Sequence, residues 1–313
     1  MKPVLLTGPT ASGKSAVAIE LAERIGGEIV SVDSMQVYRG LDIGTAKPSP
    51  EERRRVPHHL VDVVGLSEPF DAARFVATAR EAIDDLSVRG RVPILCGGTG
   101  LYINAWLGGL GSAPPPDPAL RAELEATGTD ALLDELARKD PATLDEIDLQ
   151  NRRRLVRAVE VIRLTGRPFS LQRARWPERG GTLLAGRAFG IGRDRSDLVE
   201  RIHRRVDRMF GEGLVVETAR RLTEGLRENR TAMQAIGYRQ VVEHLEGRRT
   251  LRETRELVQS KTRQFARRQR TWMTGQLDLE WLEVRRDEPP GHTADHIARR
   301  LAEGWPRRGC AGR

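Results

Sequence analysis

Apolar residues recur along this chain in two rhythms. Residues 3–7, Pro-Val-Leu-Leu-Thr, form a short apolar run, the pattern of a buried strand. From Lys14 to Gly26 the spacing changes. Val17, Ile19, Leu21, Ala22 and Ile25 follow helical intervals, and Gly26-Gly27 closes the segment, which predicts a helix. Glu28 to Val32 predicts a second strand and Phe70 to Leu86 a second helix. Val92 to Cys96 predicts a third strand, opening into Gly97-Gly98-Thr99-Gly100. Residues 39–57 carry Gly40, Gly44, Pro48, Pro50 and Pro57 and predict a loop. Strands alternating with helices predict a parallel sheet.

The rhythm breaks at Ala113-Pro114-Pro115-Pro116-Asp117-Pro118. Residues 112–149 hold 3 Lys+Arg against 10 Asp+Glu in short helical patterns, and residues 150–175 hold 8 Arg against 1 acid. Ala188-Phe189-Gly190-Ile191-Gly192 predicts a return to the sheet. The expected organisation is an α/β core of residues 1–111 and 183–313 with a helical insertion at 112–182. After residue 195, Leu198, Ile202, Val206, Met209 and Leu214 predict helix, and residues 252–270 predict another, with 7 basic and 2 acidic residues. The stretch from about 285 is polar and Arg-rich, and is expected to be loosely ordered.

Composition adds limits. The chain has 313 residues, 39% hydrophobic and 31% charged, an ordinary globular balance. No apolar run is long enough to span a bilayer, and a strand starting almost at the N-terminus argues against a signal peptide. Cys96 and Cys310 suggest neither a disulfide framework nor a zinc site. Adjacent His58 and His59 lack ligand spacing. The expected compartment is the cytoplasm. Residues 1–111 hold 12 Lys+Arg and 13 Asp+Glu, and the remainder 40 and 31. The positive excess therefore lies in the later part of the chain, where it suits a polyanionic partner or simply a soluble surface.

The sharpest chemical signal is Gly8-Pro9-Thr10-Ala11-Ser12-Gly13-Lys14-Ser15. It fits G-x-x-x-x-G-K-(S/T) between a strand and a helix, a loop whose backbone N–H groups wrap phosphate oxygens. Lys14 is placed to reach terminal oxygens and the Ser15 hydroxyl to ligate Mg²⁺. The motif specifies a polyphosphate without naming it. Asp33, in Val32-Asp33-Ser34-Met35-Gln36-Val37-Tyr38, falls just past a strand. That is the edge where open α/β folds gather ligands, and a carboxylate there could hold Mg²⁺, accept a proton or cap a turn. Gly97-Gly98-Thr99-Gly100 is expected on the same edge. That strand ends in Cys-Gly-Gly-Thr rather than an acid, which argues mildly against ATP hydrolysis.

Three polar clusters lie further on. Gln150-Asn151-Arg152-Arg153-Arg154 opens a helix whose apolar face is Leu155, Val156, Val159 and Ile162. Its arginines suit phosphates and its amides suit base edges, or it is a solvated helix start. Gly237-Tyr238-Arg239-Gln240 is the second cluster. Arg267-Arg268-Gln269-Arg270-Thr271-Trp272 is the third, setting an aromatic beside arginine. That pairing suits unpaired bases or core packing.

Taken in order, these segments resemble the bacterial tRNA dimethylallyltransferases over nearly the whole chain. The resemblance rests on Gly8 to Ser15, Asp33 to Tyr38, Asp42-Ile43-Gly44-Thr45-Ala46-Lys47-Pro48, Gly97 to Tyr102, Gln150 to Arg154, Gly237 to Gln240 and Arg268 to Trp272. It implies a P-loop NTPase-like parallel-sheet core with an inserted helical domain gripping a tRNA anticodon stem-loop. It implies transfer from dimethylallyl diphosphate to the exocyclic amine of the adenine 3′ to the anticodon, in tRNAs reading codons that begin with U. Asp33 would be the general base. The loop from Gly8 to Ser15 would hold the donor diphosphate with Mg²⁺ on Ser15, and Thr99 would help stabilise the leaving charge. Arg121 matches a family position near the reacting groups. Asp33, Ser34, Met35 and Gln36, with Gln150 to Arg154, would contact the flipped base and its neighbours, and Gly237 to Gln240 with Arg268 and Gln269 would add further tRNA contacts. A monomer and no membrane partner are expected. Ser15 stands where the family more often has Thr, and Cys96 is unusual. An isopentenyltransferase acting on free AMP, a P-loop small-molecule kinase and a non-catalytic RNA-binding protein are the alternatives.

Overall fold

The computed structural model describes residues 1–149, 151–174, 176 and 184–303. The chain divides into a larger unit, Met1–Leu107 with Glu178–Arg313, and a smaller one, Gly108–Pro177.

The larger unit is built on a six-stranded sheet in the order β3-β2-β4-β1-β5-β6. Its strands are β1 (Val4–Thr7), β2 (Gly27–Val32), β3 (His58–His59), β4 (Val92–Gly97), β5 (Ala188–Gly192) and β6 (Glu280–Glu283), and every pairing is parallel. Its early helices are α1 (Lys14–Ile25), α2 (Pro50–Arg55), α3 (Ala72–Val88) and α4 (Gly100–Gly108). The smaller unit carries α5 (Pro118–Ala126), α6 (Thr129–Lys139), α7 (Pro141–Glu146) and α8 (Arg152–Thr165). The larger unit resumes with α9 (Arg195–Gly211), α10 (Leu214–Leu222), α11 (Tyr238–Leu245), α12 (Leu251–Gln276) and α13 (Pro290–Glu303).

Side chains alternate across a strand, and both faces of this sheet are covered. Leu5, Val30, Val32 and Leu95 enter one core with Phe75 and Ile83 of α3 and Tyr102 and Ile103 of α4. Val4, Leu6, Ile29 and Ile94 enter the other with Val17, Ile19 and Leu21 of α1 and Ala294 and Ile297 of α13. Continuous apolar strands are what burial on two faces requires.

Two expectations are corrected, and one strand was not expected. The stretch after 285 is not loosely ordered through Glu303, because α13 buries Thr293, Ala294 and Ile297. Residues 39–57 are not all loop, because α2 forms from Pro50 under a reciprocal Ser49–Glu52 capping box. The edge strand β6, Glu-Trp-Leu-Glu, lacks a fully buried residue and so lacked the apolar run that marks β1.

The smaller unit has its own core of Leu124, Leu132, Leu136, Leu155, Val156, Val159 and Ile162. At its centre Glu160 is fully buried, accepting from Arg121 at 2.5 Å, Arg157 at 2.7 Å and the Asp117 N–H at 3.1 Å. A buried carboxylate needs such partners to remain charged. Among the described residues no helix is long and apolar enough to cross a membrane.

Candidate active site

In a parallel sheet the strand C-termini share one edge, and here that edge collects the chemistry. Gly8 follows β1, Asp33 follows β2 and Gly98-Thr99 follows β4, with Thr7 and Val32 both in register with Gly97. The Thr99 N–H donates to Val32 O at 3.2 Å, and the Ser34 N–H donates to the Thr99 hydroxyl at 3.1 Å. Asp33 and Thr99 are therefore tied side by side.

The loop from Gly8 to Ser15 has the shape of an anion cradle. A side chain at Gly8 would meet Ile191 O at 2.6 Å, at a φ of +155°, so the close turn after β1 requires glycine. The N–H groups of Lys14, Ser15 and Ala16 open α1 without an intrahelical acceptor, as every helix start does. The Ser12 hydroxyl is buried without a hydrogen-bond partner. Unpaired donors at the positive end of a helix dipole make an anion site.

Several cations stand around it. Lys14 is half-buried, and burial pulls its ammonium below the usual lysine range, with Arg205 acting the same way and Cys96 and Asp33 opposing. Arg201 donates through Nε to Ala11 O at 2.9 Å. Burial lowers the Arg205 guanidinium too, with Asp33 acting against the shift. Lys14 and Arg205 therefore both lie within electrostatic range of the Asp33 carboxylate. That carboxylate uses Oδ1 to accept from the Met35 and Gln36 N–H groups at 2.9 and 3.3 Å. Its other oxygen has no hydrogen-bond partner among the described residues. Arg201 and Arg205 were missed in the sequence. Their spacing of one helical turn beside Ile202, Val206 and Met209 was the available signal.

Gln269 closes the site from α12. The Thr10 N–H donates to Gln269 Oε1 at 2.8 Å, and Gln269 Nε2 donates to Gly98 O at 2.9 Å. One side chain thus joins the loop after β1 to the turn after β4. A side chain at Gly98 would meet Gln269 Nε2 at 2.3 Å, which explains a glycine there.

The residues expected to meet RNA divide by exposure. Gln269 is buried and spent on this clamp. Tyr238 is fully buried, its hydroxyl donating to Glu217 at 2.5 Å and accepting the Gly44 N–H at 3.1 Å. Gln240 turns back to accept the Gly237 N–H at 2.8 Å. These three side chains are buried and bonded within the scaffold, whereas Arg239 and Arg268 are exposed. Arg268 lies over the ring of exposed Phe265, 6.0 Å from its centroid, an aromatic the sequence reading did not single out. Trp272 packs against the main core. Gln36 takes the Ser31 hydroxyl at 2.9 Å and donates toward Thr45 and Ala46 carbonyls, so its amide is turned inward, while Ser34 and Met35 keep partial exposure.

In the smaller unit Asn151 caps α8 by accepting the Arg154 N–H at 3.4 Å. Arg152 donates to the Thr129 hydroxyl at 2.6 Å and to the Glu125 carbonyl at 3.0 Å, and also bonds the Thr127 carbonyl, leaving Arg153 and Arg154 as the outward pair. Gln150 lies outside the described residues. Arg121 is fixed by Glu160.

Among the described residues no group of three or more His, Cys, Asp or Glu side chains could hold a metal. A Mg²⁺ ion needs less from the protein when phosphate oxygens and water complete its shell. The exposed Ser15 hydroxyl, a hard oxygen without a protein partner among the described residues, fits that role. Beside it opens a pocket lined by Ile19, Ile29, Ala46, Pro48 and Cys96 together with the polar Ser31, Gln36, Glu52 and His58. Burial pushes the Cys96 thiol up to about 11, so it stays protonated.

The site thus sets a carboxylate with an uncommitted oxygen on the same sheet edge as an anion cradle. A family model described as IPP transferase matches residues 36–276. The tRNA dimethylallyltransferase of Geobacter sulfurreducens is 47% identical over 288 residues, covering 90% of this chain and 92% of that one. The crystal structure of the full-length tRNA isopentenylpyrophosphate transferase from Bacillus halodurans superposes with a TM-score of 0.69 at 38% identity, covering 96% of this chain and 97% of that one. A eukaryotic dimethylallyltransferase, captured in crystallographic snapshots acting on tRNA, superposes with a TM-score of 0.75 at 26% identity, covering 98% of this chain and 81% of that one.

Proposed function

The chain belongs to the IPP transferase family, and from that membership we propose how its own residues carry out dimethylallyl transfer to tRNA. The donor is dimethylallyl diphosphate, and the acceptor is the exocyclic amine of the adenine 3′-adjacent to the anticodon, in tRNAs reading codons that begin with U. The observation that carries the residue assignment is the shared strand edge: Asp33 follows β2, with Thr99 tied beside it, on the edge where the loop from Gly8 to Ser15 follows β1. One carboxylate opposite an anion cradle is what an amine alkylation with a diphosphate leaving group needs.

The amine nitrogen forms a bond to the allylic carbon as the bond from that carbon to the diphosphate oxygen breaks. The amine proton would pass to the Asp33 oxygen not engaged by the Met35 and Gln36 N–H groups. The α1 N–H groups, Lys14 and the neighbouring arginines neutralise the departing diphosphate, with Thr99 contributing a hydroxyl. Mg²⁺ held through Ser15 would supply further charge to the leaving group when bound. The apolar residues Ile19, Ile29, Ala46 and Pro48 of the pocket beside Ser15 would meet the alkyl tail. Arg121 remains a proposed participant, its guanidinium orientation set by Glu160.

The adenine must leave its stack, which costs a few kcal/mol that RNA contacts must offset. Asp33, Ser34 and Met35 would meet the flipped base. Exposed Arg239 and Arg268, and Arg153 and Arg154 in the smaller unit, would bind the anticodon stem-loop. The enzyme would act in the cytoplasm as a monomer.

The test is transfer of label from radiolabelled dimethylallyl diphosphate, with Mg²⁺, to unmodified tRNA and to AMP in parallel. Label in the tRNA alone supports the reading. Label in AMP moves the acceptor to a free nucleotide. ATP consumption without label in either sinks it in favour of a kinase.

A further inference from the structure

One buried charge lies directly against the phosphate loop and has no part in the chemistry above. Arg193 follows β5, and its side chain is 6% exposed, as is that of its ion-pair partner Asp197. Its Nε donates to Ser12 O at 2.7 Å, and its Nη1 donates to Asp197 Oδ2 at 2.9 Å and to Arg285 O at 3.0 Å. A side chain at Gly13 would meet its Nη2 at 3.4 Å. The guanidinium therefore sits against the apex of the loop.

A pair buried only for stability has no need to reach a loop carbonyl, and burying both charges is often no better than packing apolar groups there. The direction of this contact matters more. The Ser12 carbonyl and the Gly13 N–H belong to one planar trans peptide and point opposite ways. Holding the carbonyl on one side fixes the N–H on the other. Gly13 lies at a φ of +95°, in the left-handed region where glycine gives the backbone least resistance to rotation. An external hold on that peptide plane is therefore what keeps its N–H aimed. The bond to Arg285 extends the hold. Arg285 lies just past β6, where the Val284 N–H donates to Gly192 O at 3.0 Å, so the chain after β6 is tied to the strand that carries Arg193.

We propose that Arg193 is a positioning residue for diphosphate binding. By gripping Ser12 O it aims the Gly13 N–H into the anion cradle, and through Arg285 it makes the segment after β6 part of the loop's support. This rests on the reading of the loop as a diphosphate site.

The experiment is calorimetric titration of inorganic pyrophosphate with Mg²⁺ into the full chain, its R193M and R193K variants and the double variant R193M/D197M. Affinity for tRNA and thermal melting are measured alongside. The double variant removes both buried charges, so loss of the loop's hold is separated from the cost of stranding Asp197. Pyrophosphate affinity is expected to fall roughly tenfold in R193M and in the double variant, at the low end of what partners behind a ligand-binding group contribute. The tRNA affinity stays unchanged. R193K, which keeps the charge but has a single nitrogen for three acceptors, should fall between them and the wild type. The donor KM should rise by the same factor while kcat moves less. A folded variant lacking Arg193 that binds pyrophosphate as tightly as the wild type overturns the inference alone. A wild-type chain that does not bind pyrophosphate overturns the diphosphate reading and the inference with it.

Discussion

Thr10 and Gln269 are 259 residues apart in sequence and meet at the phosphate loop, where the Thr10 N–H donates to Gln269 Oε1 at 2.8 Å. The other end of the same amide bonds Gly98 O. The loop after β1 and the turn after β4 are thus held at a fixed separation by one buried side chain. Replacing Gln269 with Leu keeps the volume and strands both backbone groups. Each unsatisfied buried group costs about 1–3 kcal/mol, so denaturant unfolding should show a loss in that range or somewhat above. Initial rates should show a lower kcat/KM for the donor. A Q269L enzyme with wild-type rates would show that the clamp does not set the site's geometry.

Asp33→Asn separates the base from the turn. Asparagine keeps an oxygen for the Met35 and Gln36 N–H groups, so the local fold should survive. It cannot take the amine proton. Single-turnover transfer should fall by about 10²–10⁴-fold, the usual worth of a positioned general base, while tRNA binding by filter assay stays near wild type. Retention of full activity would remove Asp33 from the role.

Much of this site was legible before folding because its signals are local. The run Gly8 to Ser15 carries its own turn and helix start, and Asp33 sits one residue past an apolar strand. Gln269, Tyr238 and Gln240 were legible only as polar residues near arginines. Whether they face RNA or the interior is decided by packing across hundreds of positions, and Tyr238 sits under Gly44, 194 residues away. Arg201 and Arg205 were hidden for the same reason, since nothing in a helix sequence says which loop its charged side will meet. β3 and β6 escaped notice because His-His and Glu-Trp-Leu-Glu are half-buried edges without an apolar run. The helix α13 was hidden by its arginines, although its Thr293, Ala294 and Ile297 stripe docks it against the α1 side of the sheet.

The cluster from Gly237 to Gln240 should split under mutation. Tyr238→Phe removes the hydroxyl joining Glu217 to the Gly44 N–H. It should cost about 1–3 kcal/mol of stability and leave tRNA affinity at low temperature unchanged. Arg239→Ala should leave stability nearly unchanged and lower tRNA affinity, reducing the salt dependence of binding by about one. Binding titrations at several salt concentrations, read beside melting curves, would expose the reverse pattern if Tyr238 rather than Arg239 met the RNA.

The smaller unit should weaken in acid through Glu135. This carboxylate is held at about 2, first by its hydrogen bond to Arg163 and further by Lys139, against an opposing push from burial. Its ordinary value is 4.5. A folded pKa below the unfolded one means that the unfolded chain takes up the proton first as pH falls. The stabilisation is therefore complete above the ordinary value and is lost progressively as pH drops from about 4.5 toward about 2. Glu135→Gln removes the charge at every pH. Other paired carboxylates weaken the whole protein over the same range, so the informative quantity is the stability gap between wild type and E135Q. Unfolding measured at neutral pH should show the full gap, and measurement near the bottom of the window should show most of it gone. A gap that stayed constant across the window would mean that the Arg163 and Lys139 contacts do not act through the charge of Glu135.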